Sequence, residues 1–200
     1  MTACFAGPLL QDLFLGPMDP LTSKIAELEQ NLQPDTNGLP EEVFLFVGRH
    51  TPIVCVELII RDDVHGTLLT WRDDAHFGRG WHVPGGVIRF RESRDERIQA
   101  VARSEVGTEV DVDPSPLAIQ EYLNFTVPDR SHQWSFLMRC TLRGQPDDRL
   151  RCRDEDSPRA GEWMWHRSVP PDLLAIHRSY TPFIRGETEG HCEPIGVTIR

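Results

Sequence analysis

The sequence contains no apolar run near the length of about 20 residues that a membrane-spanning helix needs. It has no C-x-x-C pair, and its five cysteines are an odd number, which favours free thiols over a disulfide framework. The first fifteen residues are apolar but include no Lys or Arg, so they lack the pattern of a secretory signal. These absences predict a cytoplasmic protein with no membrane partner.

Positive charge is also scarce. Lys and Arg number 21 against 31 Asp and Glu, which leaves a net charge of −10. A nucleic-acid polymer is therefore not expected as a partner, because its phosphates would be repelled. A small anionic substrate would need local arginines and metal cations to offset this charge. At 39% hydrophobic and 26% charged over 200 residues, the chain is typical of one globular domain with an added terminal segment.

We expect three segments along the chain: an N-terminal leader and helical extension at 1–39, the main domain at 40–184, and a C-terminal tail at 185–200. Residues 1–17 form the leader, and Asp19-Pro20 then begins a helix. That helix carries a helical stripe of Leu21, Ile25, Leu28 and Leu32. The stripe suits packing on the domain or on a second subunit, so a homodimer is expected.

Helical and strand patterns alternate in the main domain. A short helix at 40–47 is followed by strands at 53–60 and 67–72, a loop at 73–79, and a third strand ending near Val83. After a helix at 93–107, strands are predicted at 117–125, 132–142 and 162–166, a last helix at 170–177, and a further strand is an alternative at 195–199. This order predicts an α+β fold in which a mixed sheet lies between helices.

The helix from Ser93 to Gly107 carries a carboxylate on its apolar side. Ser93 and Glu96 have the spacing of a capping box, and Gly107 is a typical C-terminal cap. The inward face has residues at i, i+3, i+4 and i+7, namely Ile98, Val101, Ala102 and Glu105. A carboxylate on such a face is uncommon unless a partner or a metal neutralises it, so Glu105 is a candidate site residue.

Glu57 interrupts the buried, β-branched strand at 53–60. One interpretation is a surface residue at a sheet edge, and the other is a functional acid. Pro84-Gly85-Gly86 adds a tight turn without side chains, where backbone carbonyls can approach a cation.

Gly86, Glu92 and the segment Glu105-Val106-Gly107 resemble a Nudix box, the pyrophosphatase signature that supplies metal-binding carboxylates. The box is degenerate: its Arg-Glu pair is absent, and of its two later glutamates only the one at Glu105 remains. A reduced box is also found in the GDP-mannose mannosyl hydrolase branch of the Nudix hydrolase superfamily. The resemblance to that branch extends over residues 51 to about 184 and includes the segments around Glu57, Arg72, Val83-Pro-Gly-Gly86 and Glu162-Trp-Met-Trp165.

The resemblance implies a Nudix-type α/β/α sandwich with a mixed sheet and an N-terminal helical extension. It also implies Mg²⁺ as cofactor, with Mn²⁺ as an alternative, and a nucleoside diphosphate sugar as substrate. By analogy, Glu105 would be the main metal ligand, Gly85 would lend a backbone carbonyl, and Arg72 would stabilise the leaving diphosphate. Glu57 would contact the nucleotide sugar. Glu92 is a further candidate metal ligand, but its place outside the Glu105 face favours ordering of the loop.

Two departures from the family pattern bear on activity. Two arginines that the family uses on the diphosphate fall here at Val87 and Ala100, and Arg89 or Arg91 is the expected replacement. The family's Gln-His pair, which supplies a metal ligand and the general base, falls at 158–161, where no base stands. The candidates near it in sequence are His132, Asp156, Glu162 and His166.

Three functions therefore stay open. The first is a hydrolase in which water attacks the anomeric carbon of a nucleoside diphosphate sugar. The second is a Nudix hydrolase that cleaves a P–O bond of a nucleotide derivative. The third is a Nudix-fold binding or regulatory module that has lost catalysis, which the missing base would favour.

Overall fold

A computed structural model describes residues 19–32, 38–188 and 194–200. The chain separates into two compact units, residues 1–40 and 41–200. In the first unit, helix α1 (Pro20–Asn31) has a proline in its first turn, and none of its residues is buried. This confirms the predicted helical extension, whereas the leader predicted at 1–17 lies outside the described residues.

The second unit begins with helix α2 (Glu41–Gly48) and contains a single sheet. Within the described residues the sheet has nine strands: β1 (Ile53–Asp62), β2 (Gly66–Asp74), β3 (Gly78–His82), β4 (Gly85–Val87), β5 (Val110–Val112), β6 (Ala118–Asn124), β7 (His132–Leu142), β8 (Trp163–His166) and β9 (Pro194–Ile199). The main order is β3-β2-β1-β7-β6-β9. Because β1 runs parallel to β7 and β6 parallel to β9 while the other pairs are antiparallel, the sheet is mixed.

Helices cover both faces of the sheet. On one face helix α3 (Arg94–Val101) and the turn that follows it pack Ile98 and Val101 against Val56, Leu58 and Ile60 of β1. On the other face lie a 3-10 segment (Ala175–Tyr180) and helix α4 (Thr181–Arg185), packed on a cluster that includes Ile59. The predicted α+β sandwich is therefore confirmed.

Two local predictions were wrong. The helix expected at 170–177 begins later, because residues 172–174 are tied to β3: Trp81 N–H donates to Asp172 O, and Leu174 N–H donates to Trp81 O. The loop expected at 73–79 is mostly strand, since β2 continues to Asp74 and β3 begins at Gly78. The strand offered as an alternative near the C-terminus is present as β9.

Two further findings concern the predicted environment. No helix among the described residues is long and apolar enough to cross a membrane. Cys55, Cys140 and Cys152 are buried free thiols. Cys4 and Cys192 lie outside the described residues.

Candidate functional site

The site lies where strand β1 changes partners. Its C-terminal end pairs with β2, through Arg61 and Asp62, while residues 55–57 pair with the short strand β4. Glu57 faces Gly85 in this register, and a Cβ at position 85 would collide with the Glu57 carboxylate. Glycine is therefore required at 85 by the close approach of the two strands.

Glu105 reaches this point from the helical side. The α-helix ends at Val101, and residues Ala102–Val106 form a π-helical turn, closed by a hydrogen bond from Gly107 N–H to Ala102 O at 2.9 Å. Gly107 ends the turn in the left-handed conformation, with φ of 79°. Such turns insert one extra residue and often occur at functional sites, and here the turn carries Glu105.

The Glu105 carboxylate is held by two donors from the sheet. Thr70 Oγ1 donates to Glu105 Oε2 at 2.8 Å, and Gly85 N–H points at Glu105 Oε1 at 3.4 Å. Burial raises the pKa of Glu105 to about 7, and the charge of Glu57 raises it further, while the Thr70 hydrogen bond and the charge of Arg72 act in the opposite direction. Two carboxylates and one guanidinium are therefore close enough to influence one another.

Two histidines form hydrogen bonds with the backbone of Val83, and these bonds define the tautomer of each ring. Val83 O can only accept, so His82 Nδ1, at 2.8 Å from it, carries a hydrogen. Val83 N–H donates to His177 Nδ1 at 2.9 Å, so that nitrogen is the bare one. The Nε2 atoms consequently face the two acids. His82 Nε2 lies 3.9 Å from Glu105 Oε2 and contacts Thr70 Oγ1 at 2.9 Å, and His177 Nε2 lies 3.7 Å from Glu57 Oε1.

The pKa of His82 is held well below its usual value, first by burial and then by the charge of Arg72. His82 is therefore neutral at physiological pH.

A cavity of about 180 Å³ opens in front of Glu57. Arg72 lies over the ring of Phe77 at 5.4 Å, and Arg130 lies over the ring of Phe44 at 5.0 Å. The remaining lining residues come from β1, β4, β7 and the 3-10 segment: Ile53, Cys55, Gly85, Gly86, Val87, Gln133, Ile176 and His177. The cavity thus combines aromatic walls, two guanidinium groups and one acid.

Glu57 suits a cation or a polar substrate group. Its Oε2 is buried and accepts no hydrogen bond from the described residues. Together with Glu105 it supplies hard oxygen atoms, which Mg²⁺ prefers. Among the described residues no group of three or more His, Cys, Asp or Glu side chains is arranged around a common point for a metal. A cation here would therefore complete its coordination with backbone carbonyl or water oxygen, as Mg²⁺ commonly does.

Of the predicted site residues, Glu105, Glu92 and Arg89 are not among those that line the cavity. Glu92 Oε2 accepts hydrogen bonds from Arg89 N–H at 2.9 Å and from Arg97 Nε at 2.8 Å, within an ion pair that is mostly buried. Glu92 thereby joins the loop to the start of α3, and its assignment as a metal ligand stays a prediction. Arg89 and Arg91 belong to the same loop and do not line the cavity.

The four general-base candidates are likewise not among the cavity-lining residues. Glu162 is paired with Arg159 at 2.5 Å, His132 faces Glu121 at 3.5 Å, and Asp156 is exposed. His166 packs edge-on against Trp81, and burial lowers its pKa to about 4.

Several residues of the site were missed from the sequence. Thr70 carried a usable signal, since it lies two positions before Arg72 on one strand and therefore on the same face. His82 directly precedes the Val83-Pro-Gly-Gly86 segment but was given no role. For His177 and Arg130 the sequence offers no signal, because only the fold brings them to Glu57 and the cavity.

Comparison with known proteins supports the fold. No protein-family profile matches the chain. A curated protein, the low-salt glycan biosynthesis protein Agl8 of Haloferax volcanii, is 27% identical over 89 residues, which cover 44% of this chain and 56% of that protein. The chain thus spans little more than half the length of this relative.

Solved structures match over a larger part of the chain. A NUDIX hydrolase from Nitrosomonas europaea superposes with a TM-score of 0.52 at 16% identity, covering 74% of this chain and 80% of that one. A UDP-X diphosphatase superposes with a TM-score of 0.51 at 19% identity, covering 86% and 83%. The MutT protein of Methanosarcina mazei Go1 gives a TM-score of 0.51 at 17% identity, covering 70% and 98%. The chain has the fold of the Nudix hydrolases.

Proposed function

We propose that this protein is a Mg²⁺-dependent Nudix hydrolase of a nucleoside diphosphate sugar, similar to the GDP-mannose mannosyl hydrolases. Water attacks either the anomeric carbon of the sugar or the diphosphate. The proposal includes a cytoplasmic location and a homodimer, and no nucleic-acid partner.

The observation that carries the proposal is the position of Glu105. A π-helical turn delivers its carboxylate to Thr70 and to the N–H of Gly85, beside Glu57 and within reach of the Arg72 charge. Burying two acids together costs free energy unless a cation joins them, so a purely structural origin for this arrangement is disfavoured.

Glu105 and the Gly85 carbonyl would hold the Mg²⁺, and Glu92 is a further candidate ligand. The bound cation would supply Lewis-acid stabilisation of the negative charge that grows on the diphosphate. Glu57, through its unpaired Oε2, is suited to accept a hydrogen bond from a sugar hydroxyl or a base N–H.

Arg72 would neutralise the departing diphosphate from the cavity side. Stacking on Phe77 and a contact of 3.4 Å to Asp74 Oδ2 hold its guanidinium in place. Arg89, on the loop before α3, is proposed to contact the substrate outside the cavity.

The relatives are consistent with this substrate class. The name of the Agl8 protein refers to glycan biosynthesis, and that of the UDP-X diphosphatase refers to a nucleoside diphosphate compound. A second candidate function is a nucleotide-sugar binding or regulatory module without catalysis. It is favoured by one observation, namely that the four general-base candidates do not line the cavity.

The test is a Mg²⁺-dependent screen of GDP-, ADP-, UDP- and CDP-sugars with the wild type and Glu105→Gln, with products separated by chromatography. We expect turnover in the wild type and a loss of about 100-fold or more in the variant, because a charged ligand of the cation is removed. Free sugar plus nucleoside diphosphate would identify attack at carbon, and sugar phosphate plus nucleoside monophosphate would identify attack at phosphorus. Metal-independent binding without turnover would favour the binding module.

A further inference from the structure

Arg130 lies in the cavity but belongs to none of the segments that resemble the Nudix pattern. It follows Pro128-Asp129 in the connection between β6 and β7, and its guanidinium lies 5.0 Å from the ring centroid of Phe44 in α2. Arg72 contributes the other guanidinium, from β2. The two cations thus come from different elements of the cavity wall.

The backbone of Arg130 is in an unfavourable conformation. Its φ is 51°, in the left-handed region that residues other than glycine seldom adopt. Neighbouring contacts hold it there: Gln133 Nε2 donates to Arg130 O at 2.9 Å, and Asp129 forms an ion pair with Arg49 at 2.7 Å. Such strain persists where surrounding structure imposes it, and it is concentrated at ligand sites.

The charge of Arg130 has no counter-ion in the described part of the chain. Asp129, the adjacent acid, is committed to Arg49, and Arg130 Nε is buried with no hydrogen-bond partner among the described residues. Stacking on Phe44 orients the planar group, and none of its N–H donors has a hydrogen bond to another described residue. In a chain with a net charge of −10, an oriented and unpaired guanidinium in a cavity is suited to an anion.

Both guanidinium groups act on the same part of the cavity. The charges of Arg130 and Arg72 each lower the pKa of the Cys55 thiol, against the larger effect of burial, which raises it to about 12. The cavity volume of about 180 Å³ is well below the range of about 300–1,000 Å³ typical of sites for whole drug-sized ligands. The cavity therefore has room for the phosphate part of a nucleotide sugar but not for the complete molecule.

We propose that Arg130 binds a phosphate group of the substrate together with Arg72, and so supplies the second diphosphate-binding arginine of this protein. The assignment rests on the proposed function for the identity of the natural ligand. It replaces Arg89 and Arg91 as the second cation at the diphosphate, because those two lie outside the cavity lining.

Inorganic pyrophosphate is the probe, and its binding is measured by titration calorimetry at low salt with a chelator present. Under these conditions neither metal binding nor turnover is required. We expect Arg130→Gln to weaken binding by about 10- to 100-fold, the range for a lost charge-assisted hydrogen-bond donor. Arg130→Lys keeps the charge without the planar fork and should fall between wild type and Arg130→Gln.

Two control variants test whether the effect is specific to Arg130. The first is Arg91→Gln, because Arg91 shares two features with Arg130: it has a positive φ, 61°, and it lies over a phenylalanine, Phe90, at 5.0 Å. The second is Arg103→Gln, which removes one positive charge, as Arg130→Gln does, but from an exposed helix position. Binding should stay within about twofold in Arg91→Gln and Arg103→Gln, since one lost surface charge has a small effect.

The proposal is overturned if Arg130→Gln binds pyrophosphate like the wild type, if Arg91→Gln is weakened equally, or if the wild type does not bind pyrophosphate at millimolar concentrations. Melting temperatures equal to that of the wild type exclude a folding defect, and Arg130→Lys serves as the reporter if Arg130→Gln is unstable. If no nucleotide sugar is turned over but pyrophosphate still binds and depends on Arg130, the proposed hydrolase is rejected and the phosphate site at Arg130 is retained.

Discussion

At the scale of single residues, the Thr70 hydroxyl joins the two halves of the site. Its oxygen contacts both Glu105 Oε2 and His82 Nε2, but it carries one hydrogen. His82 Nδ1 carries its hydrogen toward Val83 O, so a second hydrogen is needed to complete both contacts of Thr70. Below the Glu105 pKa of about 7 that hydrogen resides on Glu105, which then donates to Thr70 while Thr70 donates to His82 Nε2; above it, Thr70 donates to Glu105 Oε2.

The first prediction follows from the pKa of Glu105. In the unfolded chain the carboxyl has its ordinary pKa of 4.5, whereas in the folded protein it is about 7. Between these values the folded state binds the additional proton, so the free energy of unfolding falls as pH rises from about 4.5 to about 7. In chelator at about pH 8, Glu105→Gln should therefore be more stable than the wild type by about 2 kcal/mol.

Urea unfolding of both proteins at about pH 8 and about pH 5 measures this difference, which should shrink at the lower pH because both side chains are then neutral. Added Mg²⁺ should stabilise the wild type alone, by about 2.7 kcal/mol at a hundredfold excess over its dissociation constant. A variant that is less stable than the wild type at both pH values would contradict the assignment of a buried, destabilised carboxylate.

At the scale of elements, helix α3 shows what local chemistry can predict. The capping box is present, with Ser93 Oγ accepting from Glu96 N–H and Glu96 accepting from Ser93 N–H, and Gly107 closes the helical segment. The strand β7 has the bounds that alternation and turn residues predicted. Caps, turns and apolar periodicity each depend on residues that are close together in the sequence, so they can be predicted from one sequence alone.

Features that depend on distant residues were not predicted. The π-helical turn at Ala102–Val106 has no local sequence signature, and β4 is too short to show alternation. Residues 172–174 contain helix-forming leucines, yet pairing with Trp81 displaces the helix. His177 reaches Glu57 only through that displaced segment, across 120 positions of the chain. Tertiary contacts outweigh propensity at each of these places.

The second prediction concerns the loop between β4 and α3. Glu92→Gln leaves the Arg97 guanidinium, only 9% exposed in its side chain, without its counter-ion. Because removing one partner of a mostly buried ion pair leaves the other charge uncompensated, the free energy of unfolding should fall by about 2–3 kcal/mol. The apparent affinity for Mg²⁺ should stay within about twofold, because the contacts of Glu92 are to Arg89 N–H and Arg97, in the loop and in α3.

Glu96→Gln is the matched control for this change, since it alters an exposed acid in the first turn of the same helix and should lower the free energy of unfolding less than Glu92→Gln does. Denaturant unfolding gives the stabilities, and thermal shift against Mg²⁺ concentration gives the affinities. Loss of Mg²⁺ affinity in Glu92→Gln with unchanged stability would instead support the predicted role of Glu92 as a metal ligand.

At the scale of the whole molecule, a chain of net charge −10 is proposed to bind an anion. A negatively charged chain would repel an anion, but the fold brings Arg72 from β2 and Arg130 from the β6–β7 connection to one cavity. Elsewhere among the described residues most exposed arginines are paired with acids, as Arg143 is with Glu109 and Asp111. The cavity residues all belong to the unit formed by residues 41–200.

The third prediction concerns helix α1 and the expected homodimer. Its stripe is exposed within the chain, with Leu21 at 63%, Ile25 at 48% and Leu28 at 40%. A contiguous apolar helix face of this kind is favourable to cover in an assembly. Replacing these three residues by serine in the full chain should convert a dimer of twice the chain mass to a monomer, as measured by light scattering.

Nucleotide-sugar turnover per chain should stay within about twofold in the triple-serine variant, because α1 contributes no residue to the cavity and the cavity lies within the other unit. The matched control replaces Lys24, Glu27 and Asn31, on the other positions of the same helix, by serine, and it should stay dimeric. A wild-type chain that is monomeric at micromolar concentration would reject the predicted dimer. A triple-serine variant that stays dimeric would show that the dimer contact lies outside α1. A monomeric variant without turnover would show that the partner subunit contributes to catalysis.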